Sequence, residues 1–376
     1  MKFRNRTRLS LEKLEDRWCP ALTTNLVAGT LSISGAPTGA ISIVQDSTTA
    51  GTITVSDNGV PVTATPFTGV NNLKLKLTAA DDTVSIDLGG KTLAGKIYAD
   101  LGNGKNSLTI LDGIVGGDLQ VQSGSGTDTV VLGDSAVAAP AFTVTKNTYI
   151  DLGDAIDDVL TVHGNTTLNG YLSAEAANNI TLDAASDVKK NVFIVGGTGG
   201  NTVLLNGTVE GSVDYFSPFF GVTAGANLTV GGIVDGSVTF VGTKLADSFT
   251  ITSAGSVGRS VFAFMGAGDD TLTLHGAVTG GLYLDAGNGA NNITLDSIIG
   301  GRTTIYGGNG VDTLTMTANA KFLDTAVISL GAGNDVVSLD NAATFTTMLV
   351  NGGSGTNTFT LVGGTLPKTG LTLLHF

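Results

Sequence analysis

The sequence predicts an all-β protein, and three features of its composition support this fold class. Glycine accounts for 54 of the 376 residues, about twice the usual share, while proline occurs only seven times. Of the 32 acidic residues only four are glutamate, namely Glu12, Glu15, Glu175 and Glu210. Because glutamate suits the interior of a helix better than aspartate does, this bias disfavours helices. Apolar residues alternate with threonine and serine over most of the chain, which is typical of strands joined by tight turns.

A short motif repeats along the chain and sets the expected architecture. It begins with Asp or Asn and continues with alternating polar and apolar residues, as in DTLTL from Asp270 and NNITL from Asn291. The mean step between repeats is about 23 residues, and one step, from Asp128 to Asp158, is 30 residues long. We expect residues 136–147 within that long step to loop out of the stack. The motif starts at thirteen positions: Asp82, Asn106, Asp128, Asp158, Asn178, Asn201, Ala226, Asp247, Asp270, Asn291, Asp312, Asp335 and Asn357.

Each repeat unit contains two predicted strands with one apolar face, and most units have a Gly-x-Gly turn before the motif. Two short strands cannot bury an apolar face alone, whereas stacked units cover one another. The sequence therefore predicts a parallel β-solenoid (β-helix) of about 13 rungs, roughly 60 Å long at about 4.8 Å per rung. We assign residues 81–376 to this solenoid, residues 21–80 to an N-terminal β cap, and residues 1–20 to a basic leader segment.

Charge is distributed unevenly and limits the partners. The chain has a formal net charge of −13, and residues 1–20 hold six bases and three acids, so the remainder carries −16. Such an acidic body should repel nucleic acid and anionic membrane surfaces. No stretch is apolar for 18 residues, so we expect no membrane span, and the single Cys19 cannot form an internal disulfide.

The first twenty residues resemble a known type of leader. A basic stretch is followed by Leu11-Glu12-Lys13-Leu14-Glu15-Asp16-Arg17 and then by Pro20-Ala21. This arrangement is similar to the start of many large secreted or surface proteins of planctomycete bacteria. The resemblance implies export to the cell surface or the extracellular space, and the alternative is a disordered basic tail on a cytoplasmic protein.

Three of the turns are candidate metal sites. Residues 307–315 match the calcium repeat GGxGxDxUx at every defined position, and the turns at 265–272 and 330–337 lack only its first glycine. These units resemble the hemolysin-type (RTX) calcium-binding proteins, and the resemblance implies Ca²⁺ held between rungs by turn carbonyls and aspartates. The candidate metal ligands and turn residues are Gly266, Gly268, Asp270, Gly308, Gly310, Asp312, Gly331, Gly333 and Asp335.

Two interpretations of these aspartates remain open. The RTX family repeats every nine residues with a glycine turn at both edges, whereas this chain repeats about every 23 with the turn at one edge only. Asparagine also replaces aspartate at several repeat positions, such as Asn291 and Asn357, and cannot add charge for a cation. The alternative to calcium is a column of Asp and Asn side chains that caps turns without metal.

The sequence offers little for catalysis. Only three histidines occur, and His163 and His275 follow the same strand of their repeats. The acid pairs at 157–158 and 269–270 are neighbours on a strand and therefore face opposite ways. An aromatic cluster at Tyr215, Phe216, Phe219 and Phe220 fits either a packed bulge or an exposed contact patch.

We therefore expect a non-enzymatic, exported surface or matrix scaffold, with other surface or matrix proteins or polysaccharide as partners. The alternative is a secreted polysaccharide lyase or hydrolase, since right-handed β-helices carry such enzymes.

Overall fold

The computed structural model describes residues 22–135, 141–153, 155–218, 221–366 and 368–376. Within these ranges the chain forms strands and turns without a helix, and the strands build three sheets that run along one axis. The predicted parallel β-solenoid of about 13 rungs is confirmed. The expected leader, residues 1–20, lies outside the described residues.

Sheets A and B have sixteen strands each, and sheet C has twelve. Sheet A comprises Thr23–Val27, Thr30–Gly35, Asn72–Leu77, Ile97–Asp100, Leu119–Gln122, Thr148–Asp151, Leu172–Glu175, Val192–Val195, Val213–Phe216, Val238–Val241, Val261–Phe264, Leu282–Asp285, Thr303–Asn309, Ala326–Ala332, Met348–Asn351 and Leu371–Leu374. Sheet B comprises Ile41–Gln45, Ile53–Asp57, Val60–Pro61, Thr83–Asp87, Ser107–Ile110, Thr129–Leu132, Val159–Val162, Asn179–Leu182, Asn201–Leu205, Ala226–Val230, Ser248–Ile251, Thr271–Leu274, Asn292–Leu295, Thr313–Met316, Val336–Asp340 and Thr358–Val362. Sheet C comprises Thr92–Leu93, Gly113–Val115, Phe142–Val144, Thr166–Leu168, Asp187–Val188, Thr208–Val209, Ile233–Val234, Ser256–Val257, Ala277–Val278, Ile298–Ile299, Lys321–Phe322 and Thr344–Phe345.

Each rung passes through sheets B, C and A in that order before the glycine turn leads to the next rung. In one rung the strands are Thr271–Leu274, Ala277–Val278 and Leu282–Asp285, and Asn292–Leu295 begins the next. Corresponding strands pair in parallel and in register, as Thr271 with Asn292 does. The sequence predicted only two strands per rung, because the strands of sheet C are two or three residues long and too short to show an alternating pattern.

One continuous apolar core fills the solenoid. Alternate residues of every rung point inward, as the pattern of buried and half-buried positions in Thr271–Leu274 shows. The inward side chains, from Leu31 near one end to Val350 near the other, form a single buried cluster. Burial of this apolar area is what holds the short strands together, since each rung alone would expose one face.

The expected loop within the long step is wrong in part. Phe142–Val144 is a strand of sheet C that pairs with Gly113–Val115 and Thr166–Leu168, and the Phe142 side chain is fully buried. An inward phenylalanine gains more from burial in the core than it would on an exposed loop. Residues 136–140 lie outside the described residues.

Residues 23–61 differ from the repeats because their strands pair antiparallel. Thr23–Val27 pairs with Thr30–Gly35, and Ile41–Gln45 pairs with Ile53–Asp57. The second strand of the first pair and the first strand of the second pair then continue in parallel into sheets A and B.

The outer faces of sheets A and B differ in chemistry. Sheet B presents threonine, serine and asparagine, as at Thr271 and Thr273, whereas sheet A presents tyrosine and phenylalanine among polar residues. No helix among the described residues has the length and hydropathy to cross a membrane.

Candidate functional site

The nine predicted metal-site residues lie at one corner of the solenoid, where sheet A turns into sheet B. The glycines have positive φ angles, for example +124° at Gly308 and +135° at Gly310, which fit residues without a side chain. Successive turns stack, and the Gly310 N–H donates to the Ala332 carbonyl at 2.8 Å. Asp270, Asp312 and Asp335 stand just inside this corner with at most 2% of their surface exposed.

We call the residues at the thirteen repeat positions the Asx ladder. In ten rungs, the Oδ1 atom of the ladder residue accepts a hydrogen bond from the backbone N–H of the ladder residue one rung earlier. The donor-to-acceptor distances run from 2.6 Å at Asp247 to 3.3 Å at Asn178, with 2.9 Å between Asp312 N and Asp335 Oδ1. The accepting residues are Asn106, Asp128, Asp158, Asn178, Asp247, Asp270, Asn291, Asp312, Asp335 and Asn357. At these ten places the ladder side chain therefore caps the start of a sheet B strand from the rung beyond it.

The second polar atom of the ladder side chain distinguishes asparagine from aspartate. At four of the five asparagine rungs, Nδ2 donates to a carbonyl of the preceding glycine turn, as from Asn291 to Gly287 at 3.4 Å. Asn357 Nδ2 also donates to the His375 carbonyl at 3.1 Å, whereas Asn178 Nδ2 donates to Asn201 Oδ1 at 3.4 Å. At most aspartate rungs, the buried Oδ2 has no hydrogen-bond partner. This holds for Asp82, Asp128, Asp158, Asp270, Asp312 and Asp335.

At Asp312 a backbone carbonyl borders the same space as that second atom. A Cβ placed on Gly307 would lie 2.2 Å from Asp312 Oδ2 and 2.2 Å from the Leu330 carbonyl oxygen, so both oxygens border one point beside Gly307. Two acceptors that border one buried space repel each other unless a proton or a cation lies between them.

Burial favours the protonated form of these aspartates, which would supply a proton to the otherwise unpartnered Oδ2 atom. Desolvation raises the pKa of Asp270 to about 7 and that of Asp312 to about 6, although hydrogen bonds from neighbouring groups act in the opposite direction. Desolvation likewise raises the pKa of Asp158 to about 7 and that of Asp82 to about 6. A protonated aspartic acid would carry a donor where asparagine has its Nδ2 group.

The ladder is interrupted at Ala226, which has no polar side chain. The backbone N–H of Asn201, which would otherwise donate to a ladder side chain, donates instead to the Gly225 carbonyl at 3.4 Å. Tyr215 lies beside this gap, because a Cβ on Gly196 would be 2.8 Å from the Tyr215 hydroxyl and 2.7 Å from Asn201 Nδ2. Its ring stacks on Phe240 with centroids 5.2 Å apart and is 1% exposed. Tyr215 is thus a core residue, Phe216 points outward, and the remaining two predicted aromatics, Phe219 and Phe220, lie outside the described residues.

Two histidine–aspartate pairs link neighbouring rungs at the other end of the sheet B strands. His163 Nδ1 lies 2.7 Å from Asp183 Oδ2, and His275 Nδ1 lies 2.9 Å from Asp296 Oδ2. Hydrogen bonds from Thr317 and His275 lower the pKa of Asp296. The two pairs occupy equivalent places in their rungs, which is typical of a repeated structural contact.

Sequence reasoning missed the aromatic side chains on the outer face of sheet A. They belong to the second strand of each predicted unit, as Tyr149 and Phe193 do. An alignment of those second strands, which lie 20 to 30 residues apart like the ladder positions, would have placed them in one column.

Among the described residues, no group of three or more His, Cys, Asp or Glu side chains is arranged to hold a metal ion. Comparison of the chain with protein-family models, with curated proteins and with solved structures found no match.

Proposed function

We propose that this protein is a non-enzymatic, exported surface or matrix scaffold whose acidic β-solenoid binds Ca²⁺ at its Gly-x-Gly-x-Asp turns. The observation that supports a scaffold is the single uninterrupted core, which makes a stack of rungs with long regular outer faces. The resemblance of residues 11–21 to a leader supports export. Fractionation of the native cells tests export, and recovery of the protein in the soluble cytoplasmic fraction would contradict it.

The unpartnered aspartate oxygens support the calcium part of the proposal. Ca²⁺ prefers six to eight oxygen ligands in a flexible geometry. Asp312 Oδ2 and the Leu330 carbonyl provide two such oxygens on either side of one point beside Gly307, and backbone carbonyls of the neighbouring turns would add others. When bound, the ion would neutralise a buried carboxylate and join two rungs through it.

A thermal melt of the full chain in EDTA and across a Ca²⁺ titration tests calcium binding. A ligand that binds only the folded state stabilises it by RT ln(1 + [L]/Kd), which is about 2.7 kcal/mol at a hundredfold excess over Kd. We expect a saturable rise in melting temperature with Ca²⁺ that Mg²⁺ does not produce.

A matched pair of variants assigns that rise to the ladder. Combined substitution of Asp270→Asn, Asp312→Asn and Asp335→Asn should abolish the response to Ca²⁺. Substitution of three exposed or half-exposed aspartates outside the ladder (Asp235→Asn, Asp324→Asn and Asp340→Asn) removes the same charge and should leave the response intact. A melting temperature that changes with neither Ca²⁺ nor Mg²⁺ would instead identify the aspartates as metal-free caps of the turns.

The non-enzymatic part has its own test. Incubation of the purified protein with polysaccharides should release no new reducing ends or unsaturated products. Release of either would support the alternative function of a polysaccharide hydrolase or lyase.

A further inference from the structure

The outward aromatic side chains are confined to one face of the solenoid. In the described strands of all three sheets, every aromatic residue that points away from the core belongs to sheet A. These eight residues are Tyr98, Tyr149, Phe193, Phe216, Phe262, Phe264, Tyr283 and Tyr306. Exposed aromatic rings cost free energy in water, so their restriction to one face marks that face as a surface for contact.

Three of these aromatic residues form a regular column. Strand register places Tyr98, Tyr149 and Phe193 in line across the rungs, separated by Gln120 and Ser173. We call these three residues the aromatic column. Since strands are about 4.8 Å apart, rings two rungs apart are spaced by roughly 9.6 Å.

Neighbouring rings hold two members of the column in place. Tyr171 meets the Tyr149 ring edge-on with centroids 5.2 Å apart, and Phe216 lies against Phe193 at 5.6 Å. Tyr149 and Phe193 nevertheless remain 36% and 38% exposed. Their free surface is therefore fixed in position and available to a ligand.

Three shallow clefts follow one another along the column. Their volumes are about 420, 190 and 500 Å³ in the direction from Tyr98 to Phe193. Each cleft places polar groups beside an aromatic ring: Lys74 and Asp100 at Tyr98, Gln122 and Glu175 at Tyr149, and Asn191 and Asp214 at Phe193. Apolar ring faces bordered by a few donors and acceptors are the chemistry that binds a sugar, which has C–H faces and hydroxyl edges.

The charges on this face select among possible ligands. The clefts are lined by five lysines and four carboxylates: Lys74, Lys76, Lys96, Lys189, Lys190, Asp100, Asp151, Glu175 and Asp214. Lys189 is itself paired with Asp187 and Glu210. Because these charges nearly cancel, the clefts have no excess charge of one sign to attract nucleic acid or another polyanion, and they fit an uncharged ligand. Charged side chains beside the rings also disfavour a protein partner, because the centre of a protein interface is depleted of charge.

We propose that the aromatic column binds an extended, uncharged polysaccharide of the β-linked type along the solenoid axis. The inference extends the proposed function, since export is what would bring such a partner within reach. In a β-1,4-linked chain successive sugar rings are turned over, so every second ring presents the same face. Rings placed on every second rung therefore match a disaccharide repeat. Gln120 and Ser173 can donate hydrogen bonds to sugar hydroxyls or accept hydrogen bonds from them, and the carboxylates can accept hydrogen bonds from hydroxyls.

Affinity electrophoresis of the full chain tests this proposal. The probes are mixed-linkage β-glucan, xyloglucan and glucomannan, with polygalacturonate as an anionic chain and dextran as a flexible α-linked chain. We expect at least one of the three β-linked neutral polysaccharides to retard the protein. Polygalacturonate and dextran should cause no retardation. The double variant Tyr149→Ala/Phe193→Ala should bind at least about tenfold more weakly.

A matched double variant controls for the loss of exposed rings in general. Phe264→Ala/Tyr306→Ala removes two rings of similar exposure, 39% and 44%, from the same sheet but outside the column. It should retain binding, and circular dichroism melts should show that both variants fold. Absence of retardation by all three neutral polysaccharides, or equal loss in the two variants, would overturn the proposal. Because the assay is run in EDTA and again in Ca²⁺, its failure would leave the calcium result intact.

Discussion

Asn291 binds Asp312 through two hydrogen bonds to the same oxygen. Its backbone N–H donates to Asp312 Oδ1 at 3.1 Å, and its side-chain Nδ2 donates to that oxygen at 2.9 Å. The other carboxylate oxygen, Oδ2, has no hydrogen-bond partner and borders the same space beside Gly307 as the Leu330 carbonyl oxygen. Asn291 thus supplies two hydrogen bonds to Oδ1 of Asp312, while Oδ2 is left to bind a proton or a cation.

This imbalance predicts that Asp312→Asn stabilises the metal-free protein at pH 8. The new Nδ2 could donate to a nearby backbone carbonyl such as that of Leu330, as Nδ2 of Asn291 and of Asn357 donates to a carbonyl in its own surroundings. Relief of a buried unsatisfied acceptor is worth about 1–3 kcal/mol. Melting temperatures in EDTA measure the effect. The reverse substitution, Asn291→Asp, should destabilise the protein, and a lower melting temperature for Asp312→Asn would refute the argument.

Stability in EDTA should fall as the pH rises from about 4 to about 7. The pKa values of Asp158 and Asp270 are about 7 in the folded protein, mainly because of burial, and lie above the usual unfolded value of about 3.9. The folded state therefore binds more protons in this window, and raising the pH removes that advantage. Thermal melts at closely spaced pH values would show it.

A control variant separates the ladder from the general effect of net negative charge. Replacement of Asp158, Asp270 and Asp312 by asparagine should flatten the decline, whereas the Asp235→Asn, Asp324→Asn and Asp340→Asn set should preserve most of it. A melting temperature that rises steadily from pH 4 to pH 7 in the unmodified protein would contradict the prediction.

Tyr215→Ala should cost about 3–5 kcal/mol of stability, since it would leave a cavity beside the Phe240 ring and the gap at Ala226. Its neighbour Phe216 points outward and supplies a matched control, for which the loss should be well under half as large. Denaturant unfolding followed by circular dichroism compares the two variants. Equal losses would mean that Tyr215 does not fill the core in the way described.

Gly310→Ala should destabilise the stack of turns. Gly310 has a φ of +135°, and an added Cβ would lie 2.0 Å from the Gly289 carbonyl oxygen of the rung before it. We expect a loss of about 3 kcal/mol from strain and overpacking. Gly90 also has a positive φ, +68°, but no heavy atom within 4 Å of the added Cβ, so Gly90→Ala should lose only about 1 kcal/mol. A loss at Gly310 no larger than that at Gly90 would contradict the close approach of the turns.

The repeat made the architecture predictable, whereas the role of individual side chains was less so. Thirteen motif positions at a nearly constant step define parallel strands in register, and Asp270 and Asp312 fall where that register requires. The two-residue strands of sheet C, such as Ala277–Val278, were not predicted because two residues cannot show a periodicity. The buried Oδ2 atoms were also out of reach, since spacing along the chain does not tell which side of a turn a carboxylate faces. Calcium binding at these positions stays a prediction.

The strict pairing of each rung with its two neighbours has a consequence for how such a chain can change in length. Loss or duplication of one whole rung, such as residues 271–291, would rejoin equivalent strands and keep the core, the turns and the ladder in phase. The aromatic column would not survive the same change, because removing the rung between Tyr98 and Tyr149 would bring their rings onto adjacent strands. The fold thus tolerates the loss or duplication of a single rung. Within the aromatic column, the spacing of the rings is kept only when rungs are lost or gained two at a time.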